Sequence, residues 1–492
     1  MKLTQLLPLF LSLVAVHAAT LNVTTTADDI ANAGSLRATI AAAANGDTVA
    51  ITATGTITLT NGEITISGKN LNITGPGANI LTITTNATTR ALKIINAQCT
   101  ISGITFANCK GLSGDVDTGG AIAVDNFTAG GGANVTTIND CAFTNNQSGW
   151  GGAVDVFNGG LVMNRCSLSG NSATGAAFGT NGGGGALSLG PTVASTITNC
   201  TFSGNTQNGA AAGQPGGGAI YNYGVDVSNP AMVTVEHCTF VGNVDAASAA
   251  GAIKGNYTAS YHTAAKLKNC LLVNNQAPAS VLKNFSANPT GSLAISFASL
   301  GGNVTDEATT SAQFMPAGSD KASNATIANS ISPTLALNGG ATLTHAITRG
   351  SPAQRSGLSS TTTTDQRGAP RHVNADAGAF ELIEPEIRVS VAATPVAEGG
   401  VISIGSTPLD TPASKTVTIT NTQTSTFASG PLTLGNVSTP AGFSIIGFPA
   451  APIANGQSAT FNVTLPAANT GLVNAALTFT GNDSFNPNAA IE

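Results

Sequence analysis

Residues 199–205, NCTFSGN, decide the fold because the same pattern recurs four more times along the chain. Each copy has a cysteine, then Phe or Leu two residues later, then Asn five residues later. The other copies are DCAFTNN (140–146), RCSLSGN (165–171), HCTFVGN (237–243) and NCLLVNN (269–275). Self-similarity of this kind indicates stacked structural repeats.

A second pattern, Gly-Ala followed by an aliphatic residue, sets the length of the repeat. Its alanines are separated by 32, 33, 33 and 33 residues and stand at Ala121, Ala153, Ala186, Ala219 and Ala252. The residue after each alanine is always apolar and the next one varies, which is typical of a strand with one buried side. Three short strands in each unit, with no amphipathic helix between them, predict an all-β chain built on a parallel β-helix.

In a parallel β-helix, equivalent residues of adjacent coils stack at about 4.8 Å. We therefore expect a column of amides that hydrogen-bond from one coil to the next, formed by Asn146, Asn171, Asn205, Asn243 and Asn275. We also expect an apolar column inside the coils, formed by Phe143, Leu168, Phe202, Phe240 and Leu272. The cysteines lie two residues before this column and so point inward with it.

Seven cysteines in an exported chain would ordinarily indicate disulfides. The number is odd, however, and the Cβ bonds of stacked residues run parallel instead of toward each other. We expect buried free thiols that act as small apolar side chains. The alternative is one or two disulfides, for example between Cys99 and Cys109.

The composition and the N-terminal segment limit the classes of partner and the location that we expect for the protein. Only 9% of the 492 residues are charged and the net charge is −6, so no basic face is available for nucleic acid. Residues 1–18 have the pattern of a secretory signal peptide, with Lys2, an apolar core, and the small residues Val16 and Ala18 before the cleavage point. No later stretch has the ~20 apolar residues of a membrane span, and we expect an exported monomer without cofactors.

The chain divides into four regions after the signal peptide. Residues 19–49 are expected to cap the N-terminal end with a short helix that Ser35 begins, and residues 50–337 to form the β-helix. Residues 338–383 are expected to close its other end, with Arg367 and Asp376 as an ion pair. Residues 384–492 alternate in the manner of a β-sandwich, and either its last strand is short or the sequence is a fragment that stops within that strand.

Three segments resemble known families. The pairing of GGA[ILV] with F-x-x-N resembles the repeats of chlamydial polymorphic outer-membrane proteins, which implies a right-handed, pectin-lyase-like β-helix. NGGATLTHAITRGSPA (338–353) with TDQRGAPRHVNADAGAFE (364–381) resembles the choice-of-anchor Q domain. Residues 384–492 resemble choice-of-anchor D or ASH-type Ig-like modules. These resemblances imply a bacterial surface, outer-membrane or secreted protein, mostly without assigned chemistry.

The sequence assigns no catalytic, cofactor-binding or metal-binding residue. The variable row after the GGA pattern offers only Asp155 and Lys254, and Asp125 is out of register with Asp155. Asp115 and Asp117 lie in a Gly-rich loop, where a solvated loop is favoured over a Ca²⁺ site. His237 and His262 are expected on the surface, and His345 and His372 are expected to have a structural role in the Q-like segment.

The function expected from these observations is that of an exported cell-surface or secreted scaffold. It would act as an adhesin that binds glycans or a host surface through the loops at 173–183, 206–217 and 244–250, which differ most between repeats. The alternative is a carbohydrate-active enzyme, a polysaccharide lyase or hydrolase, because that chemistry also occurs on β-helices.

Overall fold

A computed structural model describes the chain from residue 18 to residue 491 with gaps. The residues not described within this range are 112–117, 127–133, 175–181, 191–192, 209–215, 223–230, 247–249, 256–262, 278–282, 288–296, 308–318, 323–330, 398, 407, 409, 440, 468–474 and 484–487. Most of the signal segment, parts of the three candidate loops, and Asp115, Asp117 and His262 therefore lie outside the described residues.

Four parallel sheets make up the first part of the chain. Sheet A consists of Thr20–Val23, Thr48–Ile51, Leu71–Thr74, Cys99–Ser102, Val135–Asn139, Gly160–Asn164, Ser195–Thr198, Ala231–Glu236, Thr263–Lys268 and Phe297–Ser299. Sheet B consists of Gly55–Thr58, Leu81–Thr84, Thr105–Ala107, Ala142–Thr144, Ser167–Ser169, Thr201–Ser203, Thr239–Val241, Leu271–Val273 and Val304–Thr305. Sheet C consists of Ile64–Ser67, Leu92–Ile95, Ile122–Asp125, Val154–Phe157, Leu187–Gly190, Ile220–Asn222, Ile253–Gly255 and Phe285–Ala287. Sheet D consists of Gln147–Ser148, Ser172–Ala173, Thr206–Gln207 and Val244–Asp245.

The strand order shows a parallel β-helix, as the sequence predicts. The chain passes from sheet C to sheet A, then to B and, in four coils, to D, before it returns to C one coil further along. Every strand pairs in parallel with its equivalent in the next coil; Ile122 pairs with Val154 and Val154 with Leu187. The inward residues of all coils form one continuous apolar core.

The NCTFSGN pattern is explained by two sharp corners of the backbone. Asn199 and Gly204 adopt positive φ angles of 53° and 60°, and they turn the chain into and out of the sheet B strand. Between the corners, Cys200 and Phe202 point inward and are fully buried. Asn, Asp and Gly tolerate positive φ, which explains why these residue types recur at both corners.

The asparagine column forms the predicted ladder in the interior. From Asn146 to Asn243, each Nδ2 donates to the Oδ1 of the next asparagine in the column at 2.9–3.0 Å, and to a main-chain carbonyl at 3.0–3.1 Å. Each Oδ1 from Asn171 to Asn275 also accepts the backbone N–H of the preceding rung at 3.0 Å. The ladder therefore satisfies backbone groups that the corner leaves unpaired inside the protein.

The cysteine column is in register and all seven cysteines are free and buried. From Cys166 to Cys270, the residue after each cysteine donates its N–H to the carbonyl of the previous cysteine in the column, as in Thr201 N to Cys166 O at 2.9 Å. Burial raises the pKa of these thiols; Cys270 reaches about 12. Cys99 lies in sheet A, outside this column, and Cys109 occupies the asparagine position of an earlier coil, where Asn146 Oδ1 accepts its N–H at 2.9 Å.

Thiol titration is expected to find seven reactive thiols in the denatured, unreduced protein and almost none in the folded protein. A buried thiol with a raised pKa has little thiolate and no access to reagent. Two or fewer thiols in the denatured sample would show that the cysteines pair as disulfides and would contradict the thiol column.

A short helix, Leu36–Ala42, packs against the first two strands of sheet A. The Ser35 side chain accepts the N–H of Ala38, so Ser35 is the N-cap that the sequence predicts. Leu36 and Ile40 are each 1% exposed and extend the apolar core. This is the one helix among the described residues, and it is not long and apolar enough to cross a membrane.

The Q-like segment was expected to close the C-terminal end of the β-helix, and this expectation was wrong. It lies instead along the outer face of sheet B, across several coils; Thr342 Oγ1 donates to Arg165 O and Gly378 N donates to Asn269 O. The reason is that the outer residues of sheet B become apolar in the last coils, where Leu271 and Val273 pack against Ala377 and Phe380. We name residues 331–384 the lateral segment.

The last part of the chain is a β-sandwich with its own core. A five-stranded antiparallel sheet consists of Thr394–Val396, Ile387–Val391, Ala413–Asn421, Ser458–Leu465 and Ser444–Ile446. A three-stranded antiparallel sheet consists of Leu434–Gly435, Leu477–Gly481 and Asn488–Ile491. Val417 and Phe461 of the first sheet share a cluster with Leu477 and Phe479 of the second, so the two sheets pack face to face.

Candidate functional site

The outer face of sheet C carries most of the residues that could do chemistry on the β-helix. The pairing of its strands places one row of side chains across successive coils: Lys93, Ala123, Asp155, Ser188, Tyr221 and Lys254. The sequence predicts that Asp155 and Lys254 face outward on this row, but each is only 1% exposed. The outer face of a β-helix is therefore not solvent-exposed at these positions.

Asp155 has the most unusual environment on this row. Its two carboxylate oxygens have no hydrogen-bond partner of normal geometry, and neither has the buried Oγ of the adjacent Ser188. Burial raises the pKa of Asp155 well above its ordinary value; the nearby Asp125 adds to the rise, while Ser188 and Arg90 oppose it. Burial therefore favours the protonated form of this carboxyl group.

Asp125 lies near Asp155 although the two residues are out of register. Ala123 pairs with Asp155 and Asp125 pairs with Phe157, so the aspartates face the same side of adjacent strands. The strand spacing and two-residue offset put their Cα atoms roughly 8 Å apart. Lys93 Nζ lies 3.6 Å from Asp125 Oδ2 and forms an ion pair with it. Two carboxyls on one face, one of them shifted toward its protonated form by burial, could act as general acid and general base.

Asp155→Asn is expected to raise the free energy of unfolding at pH 7 by about 1–2 kcal/mol. The folded-state pKa lies above the unfolded value, so the protonated group stabilises the protein below pH ~4 and this contribution is lost as pH rises. Asn stays neutral, so the gain over the parent should vanish at pH 3. The control Asp140→Asn affects a half-exposed ion pair with Arg165 and should change stability by less than about 1 kcal/mol.

A dense polar network in the lateral segment is built from the DQRG and GAFE motifs. The pairing of Arg367 with Asp376 was predicted, and this prediction was wrong. Arg367 instead pairs with Asp365 at 2.7 Å and stacks on Phe380, with its guanidinium carbon 3.7 Å from the ring centre. Asp376 accepts the backbone N–H groups of Arg355 and Leu382.

Arg371 joins this network to the β-helix. Its side chain is 2% exposed; it donates to Glu381 at 3.0 Å, to Gly378 O at 2.9 Å and to Asn199 Oδ1 at 2.9 Å. Gln366 makes a parallel link, because its Oε1 accepts the hydroxyl of Thr201 at 2.6 Å. The signature that resembles the choice-of-anchor Q domain is therefore a structural clasp that holds the lateral segment on sheet B.

Two of the histidines, His237 and His345, are buried where the lateral segment packs against the β-helix. His237 was expected on the surface, but it is fully buried next to the lateral segment. Its Nε2 lies 3.1 Å from the amide of Asn269, and burial together with Arg371 lowers the pKa of His237 to about 2. His345 is buried between Ser203 and Ser332 O, which fits the structural role predicted for it. His372 is exposed.

A cavity of about 190 Å³ lies where the lateral segment meets the sandwich. Its lining includes Arg355, His372, Glu384, Gln423 and Asp483. Glu384 accepts a hydrogen bond from Gln354 at 2.7 Å and lies within 4 Å of two arginines. Ile387 N donates to Asp483. These contacts indicate a polar joint; among the described residues, no group of three or more His, Cys, Asp or Glu could hold a metal ion.

Comparison with known proteins adds little to this geometry. No protein-family model matches the chain, and no curated protein matches it. Among solved structures the chain is similar to the one described as "Structure of PL6 family alginate lyase AlyGC", with 14% identity and a TM-score of 0.20. The match covers 78% of this chain and 60% of the lyase. The assignment of the fold therefore depends on the strand pairing, and the sequence resemblances stay predictions.

Proposed function

We propose that this chain is an exported scaffold of the bacterial cell surface or its surroundings, which presents binding loops on a stiff β-helix. The observation that carries the proposal is the enclosure of the candidate catalytic groups: Asp125 is 6% exposed and Asp155 is 1% exposed. A polymer cannot reach carboxyls at that depth in this conformation. The core ladders and the lateral clasp are what a rigid support requires.

Binding to surface glycans is the adhesive role that this scaffold would perform. The test is adhesion of beads coated with residues 19–492 to neutral and anionic glycans and to host cells. We expect adhesion that weakens when the loops at 173–183, 206–217 and 244–250 are shortened. The matched control shortens the turn at 60–62, on an N-terminal coil. No adhesion by the intact protein, or equal adhesion by both variants, would contradict the proposal.

Glycoside hydrolysis is the second candidate, and the pair formed by Asp125 and Asp155 favours it. Inverting hydrolases use two carboxyls that flank the glycosidic bond and keep one of them protonated. Asp125 would take a proton from water as the water oxygen bonds to the anomeric carbon, and Asp155 would give its proton to the departing glycosidic oxygen. Cleavage of any glycan, with or without Ca²⁺, that Asp155→Asn abolishes would replace the scaffold proposal.

A further inference from the structure

The outer face of sheet A is a second regular surface, and unlike that of sheet C it is open. It carries two rows of outward side chains that run across successive strands. The first row is Thr20, Thr48, Asn72, Thr100, Thr137, Val162, Thr196, Thr234, Lys266 and Ala298. The second row is Asn22, Ala50, Thr74, Ser102, Asn139, Asn164, Thr198, Glu236 and Lys268. None of these residues is buried.

The two rows form a lattice of fixed dimensions. Neighbouring strands place equivalent side chains about 4.8 Å apart, and the two rows are separated by two residues of a strand, about 6.6 Å. The residues between the rows point inward and are at most 1% exposed: Val49, Ile73, Ile101, Ile138, Met163, Ile197 and Val235. The lattice therefore stands on a close-packed core that limits its movement.

The residue types in the two rows do not favour the binding of sugar rings or of anions. The two rows hold no charged residue before Glu236, and that residue is paired with Lys268 at 3.2 Å. Neither row contains an aromatic residue, so sugar rings have no flat apolar surface on which to stack. Anions would find no cluster of cations along most of the face. What the rows do offer is hydroxyl and amide groups next to methyl groups, with six threonines in the first row.

We propose that this face of sheet A binds the surface of ice. A threonine hydroxyl can donate to water and accept from it, while its methyl group restricts where the water can lie. Repeated at fixed distances, these groups hold a layer of water in regular positions, and the two spacings of the lattice are comparable with repeats in hexagonal ice. An ordered protein surface gives up little entropy when water orders on it. Ice binding does not depend on the proposed adhesive function.

To test this, ice is grown slowly from a solution of residues 19–492, and the amount of protein taken up by the ice is measured. We expect enrichment of the intact protein in ice and faceted crystal growth. The double variant Thr137→Tyr, Thr196→Tyr should fall to the level of a protein that ice excludes, because two rings break the flat lattice. The variant Thr137→Lys should show the same loss through a charge. Thermal melting checks that each variant is folded.

Thr82→Tyr is the matched control, because it lies half-exposed on the outer face of sheet B and not on sheet A. It should enter ice as well as the intact protein. Exclusion of the intact protein from ice would overturn the proposal, and so would equal uptake of the control and the sheet A variants. Binding to crystalline chitin or cellulose without uptake into ice would assign the face to a polysaccharide instead.

Discussion

Asn205→Leu is expected to lower the free energy of unfolding by about 4 kcal/mol, although the two side chains have the same number and branching of heavy atoms. The side chain of Asn205 accepts the backbone N–H and the amide of Asn171, and it donates to Leu168 O and to Asn243. Each buried polar group that loses its partner costs about 1–3 kcal/mol. Four groups lose a bond in the buried interior: Asn171 N, Asn171 Nδ2, Leu168 O and Asn243 Oδ1.

Urea unfolding followed by circular dichroism measures this effect. Asn139→Leu is the matched control, because Asn139 lies half-exposed on the outer face of sheet A. It should change stability by no more than about 0.5 kcal/mol. Equal effects of the two substitutions would mean that the amides do not form a buried ladder.

Arg371→Leu is expected to destabilise the docking of the lateral segment by about 3–5 kcal/mol. The substitution leaves Glu381 as a buried carboxyl without its cation and removes the links to Asn199 and Gly378. Burial already raises the pKa of Glu381. Because a raised folded-state pKa makes stability fall as pH rises, the deficit of the variant should be small at pH 4 and should grow toward neutral pH.

Limited proteolysis at residues 355–383 measures this effect, since release of the lateral segment exposes it to cleavage. Arg349→Leu is the control; Arg349 is 39% exposed and its ion pair with Glu384 should contribute about 0–1 kcal/mol. Adding Glu381→Gln to Arg371→Leu should restore part of the protection at pH 7. If Arg371→Leu is as resistant as Arg349→Leu, Arg371 is not part of a clasp.

The repeating part of the fold was predictable because each coil contains, within its own sequence, the residues that determine its corners and its core. The corner residues, the inward Cys and Phe, and the ladder Asn recur within seven residues, and stacking follows from the period. The place of the lateral segment was not predictable in this way, since Gln366 meets Thr201 across 165 residues of chain. A signal does exist in the sequence: the outward positions of sheet B change from Thr144 and Ser169 to Val241 and Val273.

The candidate site was predictable only in part. Strand alternation correctly places Asp155 and Lys254 on the outer face of sheet C, but it says nothing about what covers that face. The offset of Asp125 in the sequence argues against a site, yet residues two positions apart on adjacent strands remain neighbours on one face. Offsets of an even number of residues on adjacent strands are therefore worth testing in any β-helix sequence.

The central claim is that equivalent residues of successive coils stack in register, and distances between spin labels test it most directly. Labels on cysteines introduced at Thr100 and Thr234 lie four strands apart in sheet A, and labels at Thr48 and Thr234 lie six strands apart. The native thiols are buried and should not react in the folded protein. We predict that the second distance exceeds the first by about 10 Å, two strand spacings. Equal distances, or a shorter second distance, would contradict the parallel β-helix.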